Sequence, residues 1–195
     1  MARKSSPTAR DRGPAPRVIA FLRAINVGGH IVKMAPLREQ FEAMGFTGVE
    51  TFIASGNVIF DAPREDSAAT ERRIELHLHR ALGYEVATFL RSPAEVAAAA
   101  AHDAFPGSGA GDATYPVYIA FTRKPPTSDA ERTLLGFRND VDDFHVRGRE
   151  IYWAARRGMG QSTFSGARLE KIIGMPATAR NVTTVRKLAA LTGTG

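Results

Sequence analysis

The chain of 195 residues has no cysteine, which excludes disulfides and thiolate nucleophiles and leaves a metal site only histidine and carboxylates to work with. Nor does it contain an apolar run near the ~20 residues that cross a bilayer. The first 16 residues, MARKSSPTARDRGPAP, lack the apolar centre of a signal peptide. Aromatic residues are few at 8%, with one tryptophan. What is present is a hydrophobic content of 44%, enough for a sizeable core. These features lead us to expect a cytoplasmic protein with no membrane association, no cofactor and no metal.

Negative charge is scarce at both ends. The net charge of +6 divides into +3 for residues 1–16, −4 for 17–146 and +7 for 147–195. An acidic body followed by a basic end is the pattern expected of a protein that meets phosphates, although a solvated basic face has the same composition.

Periodicity sets the organisation. Residues 1–16 mix Pro, Gly, Ser and Arg without pattern and read as a disordered basic tail. Arg17 to Ile25 is apolar at nearly every position, a strand covered on both faces with Arg23 set among apolar neighbours. Met34 to Met44 repeats Met34, Leu37, Phe41 and Met44 at helical spacing; Val49 to Ile53 and Val58 to Phe60 flank a turn; Ile74, Leu78 and Leu82 mark a helix over 67–82; and a strand follows over 84–90. The order βαββαβ within residues 17–91 is the ferredoxin-like unit. Ser92-Pro93-Ala94-Glu95 is a capping box that opens a helix, and a Gly/Pro-rich linker completes residues 92–116.

In 117–195 the order starts again: a strand over 117–121, a helix opened by Ser128, a hairpin of 141–146 with 150–154, and helices over 167–173 and 182–191. The expected fold is α+β, with two ferredoxin-like halves built on antiparallel sheets. The second half reads as incomplete, finished by a C-terminal helix, and no sequence repetition connects the two.

FLRAINVGG with Lys33-Met34, then Gly45-Phe46, TFIASGNV at 51–58, and the late ATARN at 177–181 with Thr184-Val185 and Lys187-Leu188, together resemble the bacterial family called domain of unknown function 1697. The resemblance implies an α+β fold with ferredoxin-like features and carries no established activity. The family pattern has a tryptophan after the Arg-Asn pair, where this chain has Val182.

The candidate ligand-binding residues are Arg23, Asn26, Gly28, Gly29, Lys33, Ser55, Asn57, Arg180 and Asn181. Gly28 and Gly29 permit close backbone approach, and Lys33 puts a cation at a helix start, where the dipole already favours anions. The same loop also reads as a plain turn, and neither common nucleotide-loop motif is present. In a ferredoxin-like sheet the first and third strands are neighbours, which would bring Arg23 near Ser55 and Asn57. Arg180 suits bidentate phosphate recognition, and Asn181 is either its companion or simply a helix cap.

These residues favour binding of a phosphate-bearing polyanion, nucleic acid first. The alternative is a small-molecule enzyme acting on a phosphorylated metabolite with the same loops. Base stacking on the first and third strands is disfavoured, because GNVIF departs from the aromatic-rich signature and both strand faces read as buried. Catalytic machinery is thin. His77 and His79 face different ways, His30, His102 and His145 show no ligand spacing, Asp142 and Asp143 point to opposite faces, Ser162 reads as a helix cap and Trp153 as core. Oligomeric state is left open.

Overall fold

A computed structural model describes residues 15–25, 32–53, 56–63, 66–106 and 115–193. Residues 1–14 of the expected tail and the Gly-rich part of the linker lie outside the described residues.

The first half runs β1 (Arg17–Leu22), α1 (Met34–Ala43), β2 (Thr47–Phe52), β3 (Asn57–Asp61), α2 (Ser67–Leu82) and β4 (Thr88–Arg91), with sheet order β2-β3-β1-β4. After α3 (Pro93–Ala101) the second half repeats it: β5 (Val117–Thr122), α4 (Ser128–Leu135), β6 (Asp142–Arg147), β7 (Glu150–Ala155), α5 (Gly166–Ile173) and β8 (Ala177–Asn181), in the order β6-β7-β5-β8. Helix α6 (Val182–Thr192) closes the chain. All the strand pairings are antiparallel.

Both halves are therefore ferredoxin-like, and the second is complete. The reading of it as incomplete misses β8, because Ala-Thr-Ala-Arg-Asn has little strand propensity of its own. Its pairing with β5, from Tyr118↔Asn181 to Thr122↔Ala177, makes it a strand. The expectation of no repetition is corrected too. Ile19-Ala20-Phe21-Leu22-Arg23 recurs as Ile119-Ala120-Phe121-Thr122-Arg123, and the two segments occupy equivalent places in β1 and β5.

The two sheets pack face to face, and the helix pairs cover their outer faces. Ile19, Phe21, Ile59 and Phe89 meet Ile119, Phe121 and Tyr152 in the middle layer. There Phe21 and Phe121 stack with centroids 3.9 Å apart and planes 10° from parallel. Ala20 and Leu22 turn the other way, towards Leu37, Phe41, Ile74 and Leu78. The continuous apolar run of β1 is thus a strand with one face on a sheet and the other on helices. Helices α3 and α6 pack together and seal the middle layer with Val96, Ala99, Val185 and Leu188.

Local signals mostly hold. Ser92 and Glu95 form the reciprocal capping box, with Ser92 N donating to Glu95 Oε2 at 2.8 Å and Glu95 N to Ser92 Oγ at 3.2 Å. The cap of α4 is Thr127 rather than Ser128, since its hydroxyl accepts from Ala130 N. Ser165, not Ser162, caps α5. Ser162 instead donates to the buried Asp142 carboxylate at 2.8 and 2.9 Å, and Trp153 Nε1 donates to the same group at 2.7 Å. Asp142→Ala leaves the buried indole N–H without an acceptor, so a loss of ~1–3 kcal/mol is expected in the urea unfolding midpoint.

Candidate functional site

The ends of β1 and β5 carry an ion-pair arrangement repeated about the local two-fold. Arg23, following β1, donates to Glu170 of α5 through Nε (2.6 Å) and Nη2 (2.8 Å). Arg123, following β5, pairs with Glu71 (3.1 Å) and Glu75 of α2. Each arginine reaches the helix of the other half. The carboxylates also accept edge-strand amides: Glu170 from Ala177 N at 2.8 Å, Glu75 from Thr88 N and Glu71 from Leu90 N, both at 2.9 Å. Amides of β4 and β8 that would otherwise offer themselves to another chain are thus covered.

A second repeated pair lies deeper. Arg91, at the end of β4, donates to Glu150 (2.7 Å), to Leu90 O and Thr122 O (both 2.8 Å) and to Arg149 O (3.3 Å). Arg180, its counterpart in β8, donates to Asn57 Oδ1 (2.6 Å), Thr178 Oγ1 (2.7 Å), Leu22 O (2.8 Å), Ala179 O (2.9 Å) and Gly56 O (3.4 Å). Arg91 pairs in register with Ile19, and Arg180 with Ile119. Their guanidiniums lie 5.4 Å from the Phe121 ring and 5.9 Å from the Phe21 ring, respectively. Burial pushes both below the usual arginine range, Arg180 down to about 10. The two sites differ in one position: Glu150 opposite Phe121 is matched by Asn57 opposite Phe21.

Between the halves, beside Arg23 and Arg123, lies a cleft of about 490 Å³. Its apolar floor is Leu76, Val86, Ala87 and Pro176, and its polar rim adds Arg72, Glu75, His79 and Glu85. Subtracting the internal repeat separates fold from site. Glu75 has its equivalent in Glu170, but in the same helical register Arg72 and Leu76 are matched by Ala167 and Lys171. Helix α2 also runs about a turn beyond the point where α5 stops, and its link to β4 is longer than the link from α5 to β8. His79 lies in the added turn, and Glu85 and Val86 follow in the link, where the second half has Gly174 and Met175. Arg72 and Glu85 have no hydrogen bond or ion pair with the described residues, and Leu76 is 59% exposed.

The predicted site residues are dispersed. Asn57 and Arg180 do meet, across the two halves rather than through first–third strand adjacency, and inside the protein, where Arg180 is engaged by protein acceptors; Arg23, which that adjacency would place near Asn57, pairs with Glu170 instead. Arg23 lines the cleft. Lys33 is exposed at the start of α1, lines neither described cavity, and makes no side-chain cap bond. Asn181 caps α6 by accepting from Thr183 N at 2.8 Å. Asn26, Gly28, Gly29 and Ser55 lie outside the described residues. Gly56 holds the two loops together: its carbonyl accepts from Leu22 N at 2.8 Å, and a Cβ there would sit 2.9 Å from Ile25 Cβ. Ala24 (φ 66°) and Ile53 (φ 50°), in those loops, are the non-glycine residues with positive φ among those described.

Part of the basic end is neutralised across the fold. Arg149 pairs with Glu95, Arg156 with Asp143 and Arg157 with Asp140, each at 2.5 Å. Arg168 lies over the Phe137 ring at 4.3 Å. Sequence reasoning missed Arg72, Glu85 and Arg123. Leu76, off the Ile74–Leu78–Leu82 stripe of α2, was the legible hint that its outer face borders a cleft.

A family model described as protein of unknown function (DUF1697) matches residues 16–152. The chain belongs to that family. The late ATARN motif falls beyond the matched span, and in this DUF1697 protein it forms β8 and the cap of α6. Val182, where the family pattern has tryptophan, packs against the middle layer. The conserved bacterial protein SP0830 from Streptococcus pneumoniae is similar in structure, with a TM-score of 0.68 and 21% identity over 92% of this chain and 99% of that one. At that identity the likeness shows the fold. A search of curated proteins finds no match. No helix among the described residues is long and apolar enough to cross a membrane.

Away from the cleft, His102 and His145 meet with Nε2 atoms 3.0 Å apart beside Tyr152. Burial first, then the nearby Arg147 and His145, hold His102 below the usual histidine range. The native state therefore binds fewer protons here than the unfolded chain. His102's contribution is full above its unfolded value near 6.5 and is lost as pH falls through its lower folded value. Unfolding free energy is expected to drop on acidification below pH ~6.5, and His102→Gln to flatten that slope.

Proposed function

We propose that this DUF1697 protein binds a small molecule bearing a phosphate or carboxylate group in the cleft between its halves. The observation that carries this reading is Arg72: a cation on the cleft wall, without a hydrogen bond or ion pair among the described residues and without a counterpart in the second half, beside two arginines already held in place by carboxylates. Arg23 and Arg123 are oriented through Nε and Nη2, so an incoming anion meets donors whose ordering cost is already met by the fold. The cleft volume falls in the range of small-ligand sites.

A small ligand fits better than nucleic acid. Three arginines of the +7 segment, Arg149, Arg156 and Arg157, are paired with acids of the preceding segment, Arg180 is committed to the core, and the inner faces of β1 and β3 are covered by the partner sheet. Calorimetry and thermal shift against inorganic phosphate, sugar phosphates, mononucleotides, small carboxylates and a single-stranded oligonucleotide test the reading. A small anion is expected to raise Tm, and Arg72→Gln to weaken its binding at least tenfold while leaving the urea midpoint in place. Salt-sensitive oligonucleotide binding without any small-molecule response would overturn it. An enzymatic role for the same cleft predicts turnover of whichever phosphorylated compound binds, measured as phosphate release.

A further inference from the structure

Anion binding accounts for Arg72 but not for Glu85. A cleft shaped only to attract an anion gains nothing from a free carboxylate on its wall. Glu75 has a structural duty, since it holds Arg123 and the Thr88 amide. Glu85 has none: it is exposed in the link between α2 and β4, and it makes no hydrogen bond or ion pair with the described residues. In the register that matches Arg91 with Arg180, Glu85 stands where the second half has Gly174, so the repeat gives no architectural reason for Glu85.

Among the described residues, Arg72 and Glu85 are thus full charges of opposite sign on the cleft wall that pair neither with other side chains nor with each other. Between the halves, Leu76, Val86, Ala87 and Pro176 give the same cleft an apolar floor. Resting on the small-molecule reading above, we infer that the ligand is zwitterionic, with a carboxylate or phosphate met by Arg72 beside Arg23 and Arg123, an ammonium met by Glu85, and an apolar portion over Leu76 and Pro176. The chemical class is an apolar α-amino acid or an amine-bearing phosphate of similar size. A ligand that supplies both charges satisfies both side chains at once. A plain anion would leave Glu85 facing it with like charge.

The test uses the full chain and matched probes: leucine and phenylalanine, their N-acetyl derivatives, their amides, and phosphoethanolamine, with isothermal calorimetry and thermal shift as readouts. A free amino acid or phosphoethanolamine is expected to bind at least tenfold more tightly than the N-acetylated acid or the amide, which each lack one charge. Glu85→Gln, an exposed loop substitution, is expected to weaken the zwitterion at least tenfold and to leave the N-acetyl acid bound no less tightly, closing the gap between them. Arg72→Gln should do the converse for the amide. Equal binding of the N-acetyl and free acids, or zwitterion binding unchanged by Glu85→Gln, overturns the inference. Binding confined to phosphates or carboxylates without an amine also overturns it and leaves the small-anion reading standing. No response to any small anion, zwitterionic or not, removes both.

Discussion

Replacing Arg180 with alanine is expected to destabilise the fold by ~3–5 kcal/mol, read as a fall in the urea midpoint at unchanged slope. The side chain is 7% exposed and donates to groups on three elements: Leu22 O at the end of β1, Gly56 O and Asn57 beside β3, and Thr178 and Ala179 in its own strand. Truncation strips those acceptors at the seam between the sheets and opens a space beside the Phe21–Phe121 stack, so desolvation and cavity costs add. Arg180→Lys keeps the charge without the fork and is expected to recover only a minor part of the loss. Were Arg180 instead a ligand-binding residue, its alanine variant would keep the midpoint and lose binding.

Why a protein tolerates this cation without a carboxylate follows from Asn57. Its Oδ1 accepts from Arg180 while its Nδ2 donates to Phe52 O at 3.1 Å, closing the β2–β3 hairpin. An aspartate there would supply the missing charge but set an oxygen against the Phe52 carbonyl. The amide does both jobs, and backbone carbonyls from both halves provide the remaining negative potential.

Particular residues explain what was legible in the sequence. The strand β1 was readable because burial on both faces leaves an unbroken apolar run, and α2 because Ile74 and Leu78 share one buried stripe. Strand β8 was not, since its stability comes from pairing with β5 rather than from its residues. The repeat Ile-Ala-Phe-x-Arg is plain in retrospect, but the flanking elements have diverged in length, so no fixed period extends it. Charge was only partly legible, for a physical reason. Arg149, Arg156 and Arg157 follow their acidic partners in sequence, and a chain-wise tally separates groups that the fold brings together. The cleft is built from an outer helix face and links near strand ends, where residues obey no core periodicity and only the three-dimensional repeat shows which are surplus.

Arg91 offers the matched experiment, and Arg91→Ala is expected to cost a further ~3–5 kcal/mol as a separate variant. Its side chain is fully buried, and its loss frees Thr122 O and leaves Glu150 without its cation. The informative comparison is Glu150→Gln, which gives Arg91 an amide in the place where Arg180 has Asn57. Arg91 would keep its bonds to Leu90 O and Thr122 O, as Arg180 keeps Ala179 O and Leu22 O. The expected loss is therefore smaller, ~1–3 kcal/mol, the scale of one charge-assisted hydrogen bond. A loss equal to that of Arg91→Ala would mean that the carboxylate, and not the ring of carbonyls, sustains the buried cation. The two halves would then hold their arginines by different physics despite the shared geometry.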